Sequence, residues 1–126
     1  MRIIIGGAYQ GKLRYALNIP DITEEDVFYG KKDAPETIFE YRVINQTHEL
    51  IRRLMLDGSD PTSFLMKVAE KNPDVIILCD EVGLGIVPLD PTDRAYREQV
   101  GRTMCVLTKY AGRVDRVIAG IEVRIK

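Results

Sequence analysis

The chain predicts a three-layer α/β sandwich with a mostly parallel sheet, and three observations carry that expectation. Ile3-Ile4-Ile5 and Val75-Ile76-Ile77-Leu78 are short, continuous apolar runs rich in β-branched residues, the pattern of strands buried on both faces. The longer segments around them repeat their apolar residues at helical spacing. Strand and helix patterns alternate from end to end, the order that puts helices on both faces of a parallel sheet.

Each element follows from local signals. The strand at residues 3–5 closes on Gly6-Gly7 and feeds a tight loop; residues 11–18 then read as a helix stopped by Pro20. Thr23-Glu24-Glu25-Asp26 offers a cap and an acidic first turn for a short helix. Residues 28–35, where Gly30, two lysines and Asp33 precede a proline, are expected to be the most mobile segment. Residues 41–44 form a second strand. From Gln46 onward Leu50, Ile51, Leu54 and Met55 line one helical face that stops at Gly58. Asp60-Pro61 sets a cap residue before a first-turn proline, and Phe64, Leu65, Val68 and Ala69 carry the next helix to Asn72-Pro73. Residues 74–79 give a central parallel strand. Asp90-Pro91 repeats the cap-proline signature, and Val100, Met104, Leu107 and Ala111 mark a long helix ending near Gly112. Residues 114–119 are a strand. Past Gly120, Ile121, Val123 and Ile125 alternate with Glu122, Arg124 and Lys126 as a half-buried antiparallel edge strand, the return arm of a hairpin.

Composition sets bounds on function. At 126 residues the chain is expected to form one domain, residues 1–126, burying roughly two thirds of the surface its unfolded form exposes. Basic and acidic residues number 18 and 19, a net charge of −1, which leaves no electrostatic footprint for nucleic acid or an anionic membrane. The apolar run near the amino terminus is three residues long, far short of a signal-peptide core or a membrane span, so a cytoplasmic location is expected. Cys79 and Cys105 lack CxxC spacing and are expected to be reduced, buried thiols.

The chemistry concentrates in two places. Gly6-Gly7-Ala8-Tyr9-Gln10-Gly11-Lys12 satisfies the first seven positions of a phosphate-binding loop, directly after a strand and before a helix. There the glycines let backbone N–H groups converge on phosphate oxygens, the helix terminus adds its dipole, and Lys12 supplies a cation. The eighth position normally offers a hydroxyl to Mg²⁺, and Leu13 has none. The same glycines also suit a plain strand-to-helix turn. Asp80-Glu81, at the carboxyl end of the central strand, could anchor a metal-bound water and act as a base, or simply cap the following turn. Arg94 and Arg97 fall on one helix face, suited either to an anion or to surface salt bridges. His48 is the sole histidine. As a nucleophile it would need a phosphate within reach and a partner fixing its tautomer; beside Thr47 and Glu49 it reads instead as a polar helix-start residue.

Taken together, the glycine-rich loop and Glu81-Val82-Gly83-Leu84-Gly85-Ile86-Val87-Pro88 resemble the bifunctional adenosylcobinamide kinase/adenosylcobinamide-phosphate guanylyltransferase family of cobalamin biosynthesis, with this chain a short, divergent member. The similarity continues through Arg94, Tyr96-Arg97, Gly101, Ala119-Gly120-Ile121 and Ile125-Lys126. It implies a P-loop NTPase-like fold, a homo-oligomer (trimers in the family), and ATP or GTP as nucleotide. The implied activity phosphorylates the aminopropanol arm of adenosylcobinamide and then transfers GMP. Lys12 would hold the outer phosphates, residues 6–13 would cradle them, Glu81 would line the transfer site, and Arg94 and Arg97 would meet phosphate or corrinoid. Several positions depart from the pattern. Tyr9-Gln10 replaces Arg-Ser, Leu13 replaces Ser, and Asp80 stands where Asn is usual. Asn45-Gln46 ends the strand that should finish in Asp-Cys-Leu-Thr, and the segment bearing the guanylyl-accepting histidine has no counterpart. The expectation is a nucleotide-binding protein with reduced or altered transfer and a weakened claim on Mg²⁺. The alternative is a non-catalytic paralogue that binds nucleotide or corrinoid, or assembles with an active enzyme.

Overall fold

The computed structural model describes residues 1–82 and 90–126. Its elements run β1 (Arg2–Gly6), α1 (Lys12–Leu17), β2 (Val27–Tyr29), β3 (Val43–Asn45), α2 (Thr47–Leu56), α3 (Pro61–Lys71), β4 (Ile76–Asp80), α4 (Pro91–Tyr110), β5 (Arg113–Ile118) and β6 (Ile121–Arg124). Short 3₁₀ turns at Glu24–Asp26 and Pro35–Glu40 flank β2. The sheet order is β2-β3-β4-β1-β5-β6, parallel throughout except for the β5–β6 hairpin. This is the expected α/β architecture, consistent with a P-loop NTPase-like fold. No helix among the described residues is long and apolar enough to cross a membrane.

Helices cover both faces, and each face has its own apolar cluster. On one side Ile3, Phe28, Ile44 and Ile77 pack under Leu50, Leu65 and Leu107 from α2, α3 and α4. On the other, Ile4, Val43, Leu78 and Val117 pack under Ala16 of α1. Alternate residues of β1 therefore enter different clusters, as the two-residue strand period requires. Each fully buried Ile or Leu contributes about 1.5–3 kcal/mol, so the central strands fix the frame from which the loops project. Asp60 and Asp90 cap α3 and α4 as their cap-proline signatures predict, accepting from Thr62 N at 3.0 Å and Thr92 N at 2.8 Å. A fully buried carboxylate, Asp115 on β5, is held by Arg2 at 2.9 Å and Arg113 at 3.1 Å, clamping β1 to β5.

Three expectations need correction. The segment expected to be mobile opens with a strand: β2 pairs with β3, and Arg53 donates to the carbonyls of Gly30 and Asp33 at 2.9 and 2.7 Å. A three-residue strand followed by glycine and lysines is too short for periodicity to reveal. β6 is exposed along its whole length rather than half-buried, because it lies at the sheet edge with no strand beyond it among the described residues. Cys79 is buried, but Cys105 sits on the outer face of α4 and is exposed. Residues 83–89, which hold most of the Glu-Val-Gly-x-Gly-Ile-Val-Pro signature, lie outside the described residues.

Candidate functional site

The candidate site forms where β1, β4 and β3, adjacent in the sheet, end on the same side. β1 stops at Gly6 for a steric reason. A Cβ there would sit 2.5 Å from the carbonyl oxygen of Val117, so only glycine lets β1 lie against β5 at this point. The chain then loops through residues 7–11 and enters α1 from Gly11, whose φ of 95° is left-handed and strained for any residue with a side chain. Tyr9 also has a positive φ, 61°, and its side chain is fully exposed. Gln10 turns the other way, accepting Gly120 N–H on its backbone carbonyl at 2.9 Å and Ala119 N–H on its side chain.

Lys12, the first residue of α1, is buried, and its ammonium folds back into the loop. It donates to Gly6 O at 3.1 Å and Gly7 O at 2.8 Å, and pairs with Asp80 Oδ1 at 2.6 Å. Because α1 is six residues long, its dipole adds little, and Lys12 with the loop amides must carry anion attraction here. Leu13 packs against the apolar cluster beneath α1.

β3 brings the second half. Asn45 ends the strand and accepts Gln46 N–H at 2.9 Å; Gln46, at φ 56°, turns the chain into α2. That turn sets His48 beside Asp80. His48 Nδ1 accepts the Asp80 backbone N–H at 3.3 Å, while Nε2 faces Asp80 Oδ2 at 3.4 Å and Glu49 Oε1 at 3.9 Å. Burial pushes the imidazole below its ordinary pKa of 6.5, against the upward pull of Asp80 and then Glu49. A neutral ring that accepts at Nδ1 carries its proton on Nε2, pointed at the Asp80 carboxylate. The loop residues from Ala8 to Leu13, with Asn45, His48 and Asp80, border one open cavity of about 710 Å³.

The other candidates lie outside this cavity. Glu81 donates its backbone N–H to Gly6 O at 2.9 Å, but its carboxylate turns to β5 and accepts both Arg116 Nε at 2.7 Å and Nη2 at 2.9 Å. It borders a smaller apolar cavity of about 280 Å³ with Ile5, Val100 and Met104. Arg97 pairs with Asp93 at 3.1 Å and Arg94 is exposed; neither borders this cavity.

The donors present do not fit a Mg²⁺ site. Mg²⁺ takes close octahedral oxygen ligands. Here the Leu13 side chain offers no oxygen, Asn45 gives a neutral amide whose oxygen already accepts from Gln46, and Asp80 has one oxygen on Lys12 and the other facing His48. Among the described residues no group of three His, Cys, Asp or Glu is placed to hold a metal ion.

A family model described as cobinamide kinase / cobinamide phosphate guanyltransferase matches residues 58–125, more than half of the chain. The chain belongs to this family. The matched span takes in α3, β4, α4, β5 and β6, so within the family frame the sheet edge and Asp80 lie inside the match and the glycine-rich loop lies before it. No curated protein matches the chain. Sequence reasoning set His48 apart from the site, and it missed Tyr29, Lys31 and Glu49, which also line the cavity. The signal for all four was the adjacency of β2, β3 and β4, a tertiary fact that local pattern does not encode.

Proposed function

We propose that this protein binds a nucleotide through its glycine-rich loop, as one unit spanning residues 1–126, and serves cobalamin biosynthesis in the cytoplasm with reduced or altered phosphoryl and nucleotidyl transfer. The observation that carries the reading is the placement of Lys12, buried at the root of the loop with its ammonium on the wall of an open cavity large enough for a triphosphate. The loop amides and Lys12 attract phosphate; Asp80 holds the lysine in place and opposes the incoming charge. A nucleotide therefore binds by displacing a carboxylate from a lysine, without the metal ligands that in-line transfer uses.

The decisive experiment is calorimetric titration with ATP and with GTP, each with and without Mg²⁺, followed by cobinamide. Saturable nucleotide binding that changes little on adding Mg²⁺ supports the reading; absence of heat with both nucleotides reduces the loop to a strand-to-helix turn.

A second reading is a non-catalytic paralogue that binds corrinoid or assembles with an active enzyme. The Lys12–Asp80 pair favours it, since neutralising the loop cation lowers phosphate affinity. Corrinoid binding without nucleotide binding in the same titration would select it.

A further inference from the structure

The ring of His48 is held by a contact that a proton breaks. Its Nδ1 accepts the Asp80 backbone N–H at 3.3 Å, and an imidazolium, with a proton on both nitrogens, cannot accept there. Charging the ring therefore releases it from the end of β4. The side chain is 13% exposed, and the loop cavity is the open space that it borders.

Each element around the ring bears on its charge. On α2 itself, Glu49 Oε1 stands 3.9 Å from Nε2, and Arg52 pairs with Glu49 at 4.0 Å. From β4 the Asp80 carboxylate faces Nε2 at 3.4 Å, while the Cys79 thiol, pushed up to about 12 by burial, is neutral. α1 contributes the Lys12 ammonium. α4 contributes the Tyr96 phenol, also pushed up to about 12 by burial, whose ring lies 4.2 Å from the Arg52 guanidinium. Arg14, Tyr29 and Lys31 border the same cavity. Two carboxylates favour a charged ring; burial, the largest effect, opposes it together with Lys12 and Arg52. His48 is also the second residue of α2, where the positive end of the helix dipole disfavours a cation. Without an anion the ring stays neutral.

A phosphate group reverses that balance. It brings negative charge to Lys12, and an opposite charge within about 4–6 Å favours the charged form of a group by about 1–3 in pKa. We propose that His48 is a second phosphate-binding group of this site, recruited by a proton: as the anion settles on Lys12 and the loop, the ring takes one proton from solvent, gives up the Asp80 N–H and donates to the anion. This role presupposes that the loop binds phosphate, and it gives the site one donor more. Binding and proton uptake are then a single event. Affinity climbs as pH falls from the ring's titration point in the complex to the lower one in the empty protein, and is level outside that window.

The chain has one histidine, so nuclear magnetic resonance reads its ring without ambiguity. The His48 Cε1–H signal is followed against pH in the full chain alone, with sodium sulfate, and with ATP in the absence of Mg²⁺. Sulfate is the primary probe because it stays a dianion across the range. It should raise the ring's midpoint by about one pH unit or more, and bind about fivefold tighter at about pH 5.5 than at about pH 8. ATP should raise the midpoint at lower concentration. Lys12→Ala should abolish the rise, and His48→Gln, checked for folding by circular dichroism, should bind sulfate equally at both pH values. A midpoint unmoved while sulfate and ATP shift the amide signals of residues 6–13 overturns the inference and leaves the phosphate reading of the loop standing. A rise that persists in Lys12→Ala also overturns it, because the anion is then elsewhere. Amides of residues 6–13 indifferent to both ligands overturn the inference and the loop reading together. Sulfate acting where ATP does not would keep the proton-linked site and remove the nucleotide.

Discussion

Lys12 Nζ lies 2.6 Å from Asp80 Oδ1, so the cation at the root of the glycine-rich loop already holds a carboxylate from the end of β4. Any phosphate entering the cavity must compete with that partner, which is itself fixed by the His48 contact on its backbone N–H. Two opposed charges in a half-buried setting interact well above their strength in water, so the competition is costly.

Asp80→Asn should remove it. The variant keeps the shape of the side chain and frees Lys12, and nucleotide affinity should rise roughly tenfold, about 1.4 kcal/mol. Isothermal titration in the absence of Mg²⁺ measures this directly. Equal or weaker binding by the variant would mean that Lys12 does not meet phosphate.

Lys12→Ala should act in the opposite direction, weakening nucleotide binding by about 1.5–3 kcal/mol, the range for a hydrogen bond to a charged group. Chelator should change wild-type affinity little, because Leu13 supplies no metal ligand. Leu13→Thr should make binding more Mg²⁺-dependent and cost some stability, since Leu13 packs against the cluster under α1. A strong chelator effect on wild type would contradict the account of the metal site.

Acid should loosen the fold through His48. Its pKa is lowered by burial, so the unfolded chain, titrating near 6.5, takes up a proton before the native state does. The stability tied to the neutral ring is complete above the unfolded value and is lost as pH falls through the lowered native one. Urea midpoints at about pH 7.5 and about pH 5.5 should therefore differ, and His48→Gln should shrink the difference. Identical pH dependence in the two proteins would show that the ring titrates freely.

Covalent guanylylation should be absent. The Nδ1 lone pair of His48 accepts the Asp80 N–H, and Nε2 carries the proton facing Asp80, which leaves no nitrogen free to attack a phosphorus atom. After incubation with radiolabelled GTP and Mg²⁺ and denaturation, protein-bound label should remain at background. Label that vanishes in His48→Ala would make this histidine the acceptor.

The two cysteines should separate cleanly by reactivity. Burial pushes the Cys79 thiol up to about 12, whereas Cys105 is exposed on α4. Native protein should therefore consume one equivalent of a thiol reagent quickly and the second only on unfolding. Fast reaction of both would place Cys79 within reach of solvent.

Local pattern carried most of the fold and less of the site. Helices α2, α3 and α4 were legible because their apolar residues repeat at helical spacing and Asp60 and Asp90 announce two of their starts. β2 was not, since Val27–Tyr29 is too short to show a period. The exposure of β6 was misjudged because alternation says which residues share a face, not whether anything covers that face. Lys12 could be placed from its spacing alone. Its partner Asp80 and neighbour His48 could not be joined to it, because they lie 68 and 36 positions away and meet only through the order β3-β4-β1.

Gln10 gives the molecule a mechanical link that neither the loop nor the hairpin has by itself. Its carbonyl and its side-chain oxygen both accept hydrogen bonds from the backbone N–H groups of the Ala119-Gly120 turn, so the tip of the hairpin is stitched to the middle of the loop. Whatever grips the hairpin limits the shapes the loop can sample, and whatever fills the loop limits the hairpin. Thermodynamic reciprocity then fixes the exchange rate: the factor by which a contact on the hairpin would change ligand binding in the loop is the factor by which the ligand would change that contact.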